Sequence, residues 1–88
     1  MKEIRKILDE ISFTNLCKLG YISVTTEMGK SNLYFNKNDI KTLIYGGDIL
    51  EKEIDDAKFL FIMDNLDIEY IKEILKRSPI YSEIVEEI

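Results

Sequence analysis

The stretch Lys58-Phe59-Leu60-Phe61-Ile62-Met63, followed by Asp64-Asn65, decides the fold of this chain. Its five consecutive large apolar residues are too few to span a membrane and too unbroken for an element with one solvated face. Such a run is typical of a strand buried on both sides. An amphipathic helical pattern begins directly after Asp64-Asn65, whose side chains suit a helix N-terminus. We therefore predict a central strand over residues 57–63 and a helix over residues 65–77.

Length and composition indicate one small soluble domain. With 88 residues there is room for a single hydrophobic core, so we expect one domain over residues 1–88. Hydrophobic residues make up 45% and charged residues 33%, which is the balance of a folded globular protein rather than a disordered one. So small a core leaves a thin stability margin, which favours burial of an apolar face against a second copy.

The charge pattern argues against two classes of partner. Acidic residues outnumber basic ones, 17 to 12, and neither sign forms a long block. Because nucleic-acid affinity depends on clustered Lys and Arg, we expect no nucleic-acid partner. Membrane-surface binding is disfavoured for the same reason, and no apolar run approaches the ~20 residues that cross a bilayer. The segment Met1-Lys2-Glu3-Ile4-Arg5 lacks the apolar core of a signal peptide, so we expect a cytoplasmic location.

The N-terminal part of the chain predicts helix followed by a hairpin. Apolar residues recur at helical spacing within residues 2–11, which predicts an amphipathic helix. Further helix is expected to end at Leu19 with Gly20 as its stop, and the pattern leaves open whether residues 2–19 form one kinked helix or two. Residues 21–35 alternate and are rich in β-branched and aromatic side chains, which predicts a hairpin with its turn near Gly29. The apolar residues of the first helix would be Ile4, Ile7, Leu8 and Ile11, and Ser12 or Thr14 could cap the second helical stretch.

The remaining segments predict two or three further elements. Capping side chains precede a short helix over residues 37–45, which Gly46-Gly47 would end. Residues 48–53 are compatible with either a short edge strand or a loop. After Ser78-Pro79, the apolar stripe of residues 80–88 predicts a final helix.

The predicted order is therefore helix, strand, strand, helix, possible strand, strand, helix, helix. Helices laid on a small, mostly antiparallel sheet of three or four strands make an α+β fold. In this prediction the sheet contains both the hairpin over residues 21–35 and the central strand over residues 57–63.

A cation site is the main chemical alternative. An aspartate that ends a buried strand just before a helix, as Asp64 does, stands where many α/β proteins hold a metal ligand or a nucleophile. The acidic stretch 48–56 offers further oxygen ligands for Ca²⁺ or Mg²⁺, so Asp55 and Asp56 are candidates too. The competing interpretations, which we favour, are an N-cap role for Asp64 or Asn65 and an acidic stretch that protects a sheet edge. We therefore expect neither a metal nor a cofactor.

Residue content excludes several kinds of catalysis. The chain has no histidine and only one cysteine, Cys17, so it lacks Ser-His-Asp and Cys-His nucleophiles and thiolate–imidazole zinc sites. We expect Cys17 to pack as a small hydrophobe. Gly29-Lys30-Ser31 matches the end of a phosphate-binding P-loop, but Val24 occupies the position where that loop requires a glycine.

These patterns favour a small cytoplasmic, non-catalytic binding or protein-interaction module that self-associates, because the chain offers more apolar faces than a small sheet can cover. The expected partner is another protein or a second copy. The alternatives are a small cation-dependent enzyme or metal site around Asp64 and the acidic stretch, and an acidic inhibitor that covers a basic surface.

Overall fold

The computed structural model describes residues 1–45 and 49–88, and it confirms the α+β class. Within those ranges a three-stranded sheet and a separate two-stranded hairpin are combined with helices. The elements in chain order are β1 (Lys2–Leu8), α1 (Glu10–Leu19), β2 (Tyr21–Thr26), β3 (Gly29–Tyr34), α2 (Lys37–Tyr45), β4 (Leu50–Ile54), β5 (Ala57–Met63), α3 (Ile68–Lys76) and a 3₁₀ helix, Ser82–Glu87.

Strand β5 is the centre of the three-stranded sheet, as the sequence predicts. The strand order is β1-β5-β4, with β1 parallel and β4 antiparallel to β5. Phe59 and Phe61 are fully buried on the face that meets the rest of the chain, and their rings stack with centroids 6.2 Å apart. Phe61 also meets Phe35 edge-on, with 5.0 Å between ring centroids. The aromatic residues of β5 thus anchor one continuous core that the helices and the hairpin share.

Strand β1 corrects the prediction of a helix over residues 2–11. Residues 2–8 extend beside β5, with Ile4 opposite Phe59 and Leu8 opposite Met63. Ile4 and Leu8 are four residues apart, and this spacing places two side chains on one face of a helix and also on one face of a strand. The predicted helix is wrong because β1 pairs with an edge of β5 and satisfies the backbone hydrogen-bonding groups there. Local spacing does not reveal such an interaction between distant segments.

Neither alternative for residues 2–19, one kinked helix or two helices, is correct, because residues 2–8 form β1 and only the second part forms a helix, α1. Its N-cap is Asp9, whose Oδ1 accepts a hydrogen bond from the Ser12 backbone N–H at 2.8 Å, so neither Ser12 nor Thr14 caps it. Gly20 ends α1 as predicted, at a φ of 79° that favours glycine.

The hairpin β2–β3 confirms the prediction over residues 21–35. It lies outside the three-stranded sheet, however, whereas the sequence predicts one shared sheet. Val24 and Leu33 point from the hairpin into the core. The hairpin thus contributes to the core through its inward-facing side chains, without joining the hydrogen-bond ladder of the three-stranded sheet.

The later helices follow the predicted pattern with differences at their ends. Helix α2 has the predicted bounds, and its expected stop at Gly46-Gly47 lies outside the described residues. The N-cap of α3 is Asp67, so the N-cap role predicted for Asp64 or Asn65 is wrong. The final helix is a 3₁₀ helix rather than an α-helix. The possible edge strand over residues 48–53 is present as β4, from Leu50 to Ile54, while Asp48 falls outside the described part.

Candidate functional site

The outer face of the three-stranded sheet, turned away from the core, is the candidate site. Alternation along the strands puts every second side chain on this face. Pairing across the sheet arranges these side chains in two rows of three and one pair. The rows are Glu3-Lys58-Glu53 at one end, Arg5-Leu60-Glu51 in the middle, and Ile7-Ile62 at the other end, where Ile49 continues the alternation of β4.

The apolar members of the outer face lie apart from the core. Leu60 is only 6% exposed, yet it does not belong to the core cluster, because it points away from the helices and is covered by its neighbours on the same face. Ile7 is 68% exposed and Ile49 is 40% exposed. Ile7 lies on β1 and Ile49 directly precedes β4, so the two exposed side chains flank the half-buried Ile62 of β5. Exposed apolar groups of this kind are a common property of interaction surfaces.

Four of the five charged members of this face lie on its two edge strands, and Lys58 lies on the central strand β5. Arg5 lies on the β1 side of Leu60, and Glu51 lies on the β4 side. Lys58 approaches Glu51 to 3.8 Å, an exposed ion pair of small energetic value. The middle row is therefore positive at one edge, apolar at its centre and negative at the other edge.

Asp64 lies at the carboxyl end of β5, as its position in the sequence predicts. Its backbone N–H donates to the Leu8 carbonyl at 2.8 Å and extends the parallel pairing, while its Oδ1 accepts from the Asn65 N–H at 2.9 Å. It borders a cleft of about 400 Å³. Among the described residues that line this cleft, Asp64 has the only carboxylate. The other lining residues are Leu43, Ile44, Tyr45, Met63, Asn65, Leu66 and Ile71.

Asp55 and Asp56 form the two-residue turn between β4 and β5, at the opposite end of β5 from Asp64. Asp55 has a φ of 55°, which an aspartate in a tight turn tolerates, and its Oδ2 accepts a hydrogen bond from the Thr26 hydroxyl at 2.8 Å. Seven strand residues separate the turn from Asp64, a distance of about 23 Å. The structure therefore does not bring the three predicted candidate ligands together.

The remaining acidic side chains and Cys17 form neither a metal site nor a nucleophilic centre in residues 1–45 and 49–88. No group of three or more Asp, Glu or Cys side chains there is placed to hold a metal ion. Cys17 is buried as predicted, and burial raises the pKa of its thiol to about 12. At neutral pH it is therefore a protonated and poorly nucleophilic side chain.

The outer-face residues are not among the predicted site residues, because the spacing of residues 2–11 predicts a helix that contains Arg5 and Ile7. The local pattern contains no strand signal, because residues 3–8 do not alternate between polar and apolar side chains: Lys6 follows Arg5, and Leu8 follows Ile7. The chain matches no protein-family model, no curated protein sequence and no solved structure. In the part of the chain that the structure describes, no helix is long and apolar enough to cross a membrane.

Proposed function

We propose that this chain is a small cytoplasmic, non-catalytic protein-interaction module that self-associates. The observation that carries the proposal is the outer face of the three-stranded sheet, where Ile7 and Ile49 are exposed beside Leu60 and Ile62. Burial of apolar surface is the main favourable term in association, at about 25 cal/mol per Å². Because the folded chain leaves this face exposed to water, a partner that covers the face would gain the free energy of burying its apolar side chains.

The location of these side chains on the open face of a sheet supports protein binding over small-molecule binding. Ligand sites are concave and bring a few polar groups together around a mostly apolar pocket. The outer face is instead a sheet surface on which Leu60 and Ile62 of the central strand are bordered by charged side chains, an arrangement that resembles the apolar centre and polar rim of protein interfaces.

Sedimentation velocity on the purified protein tests the proposal directly. Over concentrations from about 1 μM to about 1 mM, we expect the weight-average sedimentation coefficient to rise from the monomer value toward a dimer value. Light scattering on the same samples gives the mass independently. A monomer mass at every concentration would contradict self-association.

A further inference from the structure

The middle row of the outer face, Arg5-Leu60-Glu51, has a charge pattern that is complementary to itself. Arg5 at the β1 edge and Glu51 at the β4 edge lie in the same row, on either side of Leu60. We propose that a second copy of the chain covers this face, with the two sheets stacked and the two-fold axis parallel to the strands. This inference rests on the proposed function and specifies its surface and geometry.

A two-fold axis along the strands exchanges the two edges of the sheet and keeps every row at the same height. Strand β1 of one copy then lies over β4 of the other, with about 10 Å between the stacked sheets. Arg5 meets Glu51 of the second copy, and the symmetry repeats this pair once more. The half-buried Ile62 lies on the axis and meets its own copy, whereas Leu60 also lies on the axis but is already covered within each chain.

The same operation brings the exposed isoleucines together. Ile7 of one copy faces Ile49 of the other, so the apolar row packs against itself without a charge in it. A two-fold axis across the strands would instead place each strand over itself. If centred on Leu60, that arrangement would set Arg5 over Arg5 and Glu51 over Glu51, so the charges of the middle row favour the axis along the strands.

The third row, Glu3-Lys58-Glu53, limits the affinity of the proposed dimer. There Glu3 of one copy faces Glu53 of the other, and Lys58 faces its own copy, so charges of like sign oppose one another. The whole face measures about 14 by 23 Å, which is small beside the ~800 Å² per partner of a standard interface. Both facts predict a weak dimer that forms in the micromolar range or above.

Charge-reversal variants test the geometry, with dimerisation measured by sedimentation equilibrium at low ionic strength. Arg5→Glu and Glu51→Lys each replace two attractive contacts by two repulsive ones, and we expect each to weaken dimerisation about tenfold. The double variant Arg5→Glu/Glu51→Lys exchanges the two charges and is expected to restore the parent affinity. Lys30→Glu and Glu27→Lys, on exposed residues at the turn of the hairpin, make the same changes in net charge and serve as controls.

A gain of affinity provides a second, independent readout. Glu3→Lys turns the repulsion from Glu53 of the second copy into attraction, so it should strengthen dimerisation several-fold relative to Glu27→Lys. Thus two variants with an identical change in net charge, Glu3→Lys and Glu51→Lys, are expected to act in opposite directions.

The possible results separate the inference from the proposed function. If the parent protein dimerises but Arg5→Glu behaves as Lys30→Glu does, the outer face is not the interface and the inference is overturned, while self-association stands. Failure of the double variant to restore affinity would overturn the axis along the strands. A parent protein that stays monomeric would end both the proposed self-association and the inference.

Discussion

The Ser78 side chain links the end of α1 to the start of the C-terminal segment. Its hydroxyl donates a hydrogen bond to the Cys17 carbonyl oxygen at 2.6 Å and accepts one from the Tyr81 N–H at 2.9 Å. The Cys17 carbonyl is among the last of α1, which have no partner within their own helix. Ser78 is buried, so this single hydroxyl satisfies backbone groups that water does not reach.

Replacement of Ser78 by alanine is therefore expected to destabilise the protein by about 1–3 kcal/mol, because it leaves buried backbone groups without partners. Urea denaturation followed by circular dichroism measures the change in the free energy of unfolding. The control is Ser82→Ala, at an exposed serine in the 3₁₀ helix, which should change stability by less than about 0.5 kcal/mol. Equal effects of the two variants would contradict the linking role of Ser78.

Stability is expected to decline at alkaline pH because two buried acids resist ionisation in the folded protein. Burial raises the pKa of Tyr81 to about 12, and the hydroxyl of Tyr81 donates to the Phe35 carbonyl at 2.6 Å. Burial likewise raises the pKa of Cys17 to about 12 from its ordinary value of 9.0. Both groups bind their protons more tightly in the folded protein than in the unfolded chain. Their contribution to the free energy of unfolding is therefore complete below about pH 9 and is lost as the pH rises toward about 12.

Urea midpoints measured from pH 7 to pH 11 should therefore fall above about pH 9. The variants Tyr81→Phe and Cys17→Ala each lack one of the two groups, so each is expected to show a shallower decline than the parent. If the decline of Tyr81→Phe matched that of the parent between about pH 10 and pH 11, ionisation of Tyr81 would not be linked to unfolding.

The N-caps of α1 and α3 are expected to stabilise the protein to different extents. Asp9 caps α1 through a hydrogen bond from the Ser12 backbone N–H, whereas Asp67 caps α3 without a side-chain bond. Asp9→Ala should therefore lower the urea midpoint more than Asp67→Ala does. The Ser12 N–H also lowers the pKa of Asp9, so its contribution is present above the ordinary pKa of 3.8 and is lost as the pH falls through the lowered value.

Measurement of both variants at neutral and acidic pH tests this difference. The gap between their midpoints should narrow as the pH falls below 3.8, because protonated Asp9 is a weaker acceptor for the N–H of Ser12. A gap that is unchanged at acidic pH would show that the carboxylate of Asp9 is not the group that stabilises α1.

Divalent cations are expected to leave the melting temperature of the parent protein unchanged. Ca²⁺ requires six to eight oxygen ligands, and the length of β5 separates Asp64 from Asp55 and Asp56. Differential scanning fluorimetry with Mg²⁺, Mn²⁺ or Ca²⁺ at about 5 mM provides the measurement. A saturable rise in the melting temperature that Asp64→Asn abolishes, and Asp55→Asn does not, would instead support a cation site at the carboxyl end of β5.

Elements with strong local signals could be predicted from the sequence. The apolar run of β5, the alternation of the hairpin and the spacing of α2 each reflect forces within one segment, and the structure has all three. Strand β1 could not be predicted in the same way, since its partner β5 is about fifty residues further along the chain and the spacing of Ile4 and Leu8 fits helix and strand alike.

The candidate site was missed for the same physical reason. Ile7 faces outward only when residues 2–8 are extended, and Leu60 becomes the centre of a charged and apolar row only when β1 and β4 flank it. Which side chains become neighbours on a sheet depends on the strand order and register, and the periodicity of a single segment does not predict the strand order.

Alanine substitutions at Leu8 and Ile11 distinguish the strand from the helix that the spacing predicts. A helix over residues 2–11 would bury both side chains on one stripe, so both variants would be destabilised. In the structure Leu8 is 3% exposed at the end of β1, whereas Ile11 is 72% exposed in the first turn of α1. We therefore expect Leu8→Ala to cost about 2–4 kcal/mol of unfolding free energy and Ile11→Ala less than about 0.5 kcal/mol. Urea denaturation at low protein concentration, where the monomer predominates, measures both values, and similar losses in the two variants would favour the helix over β1.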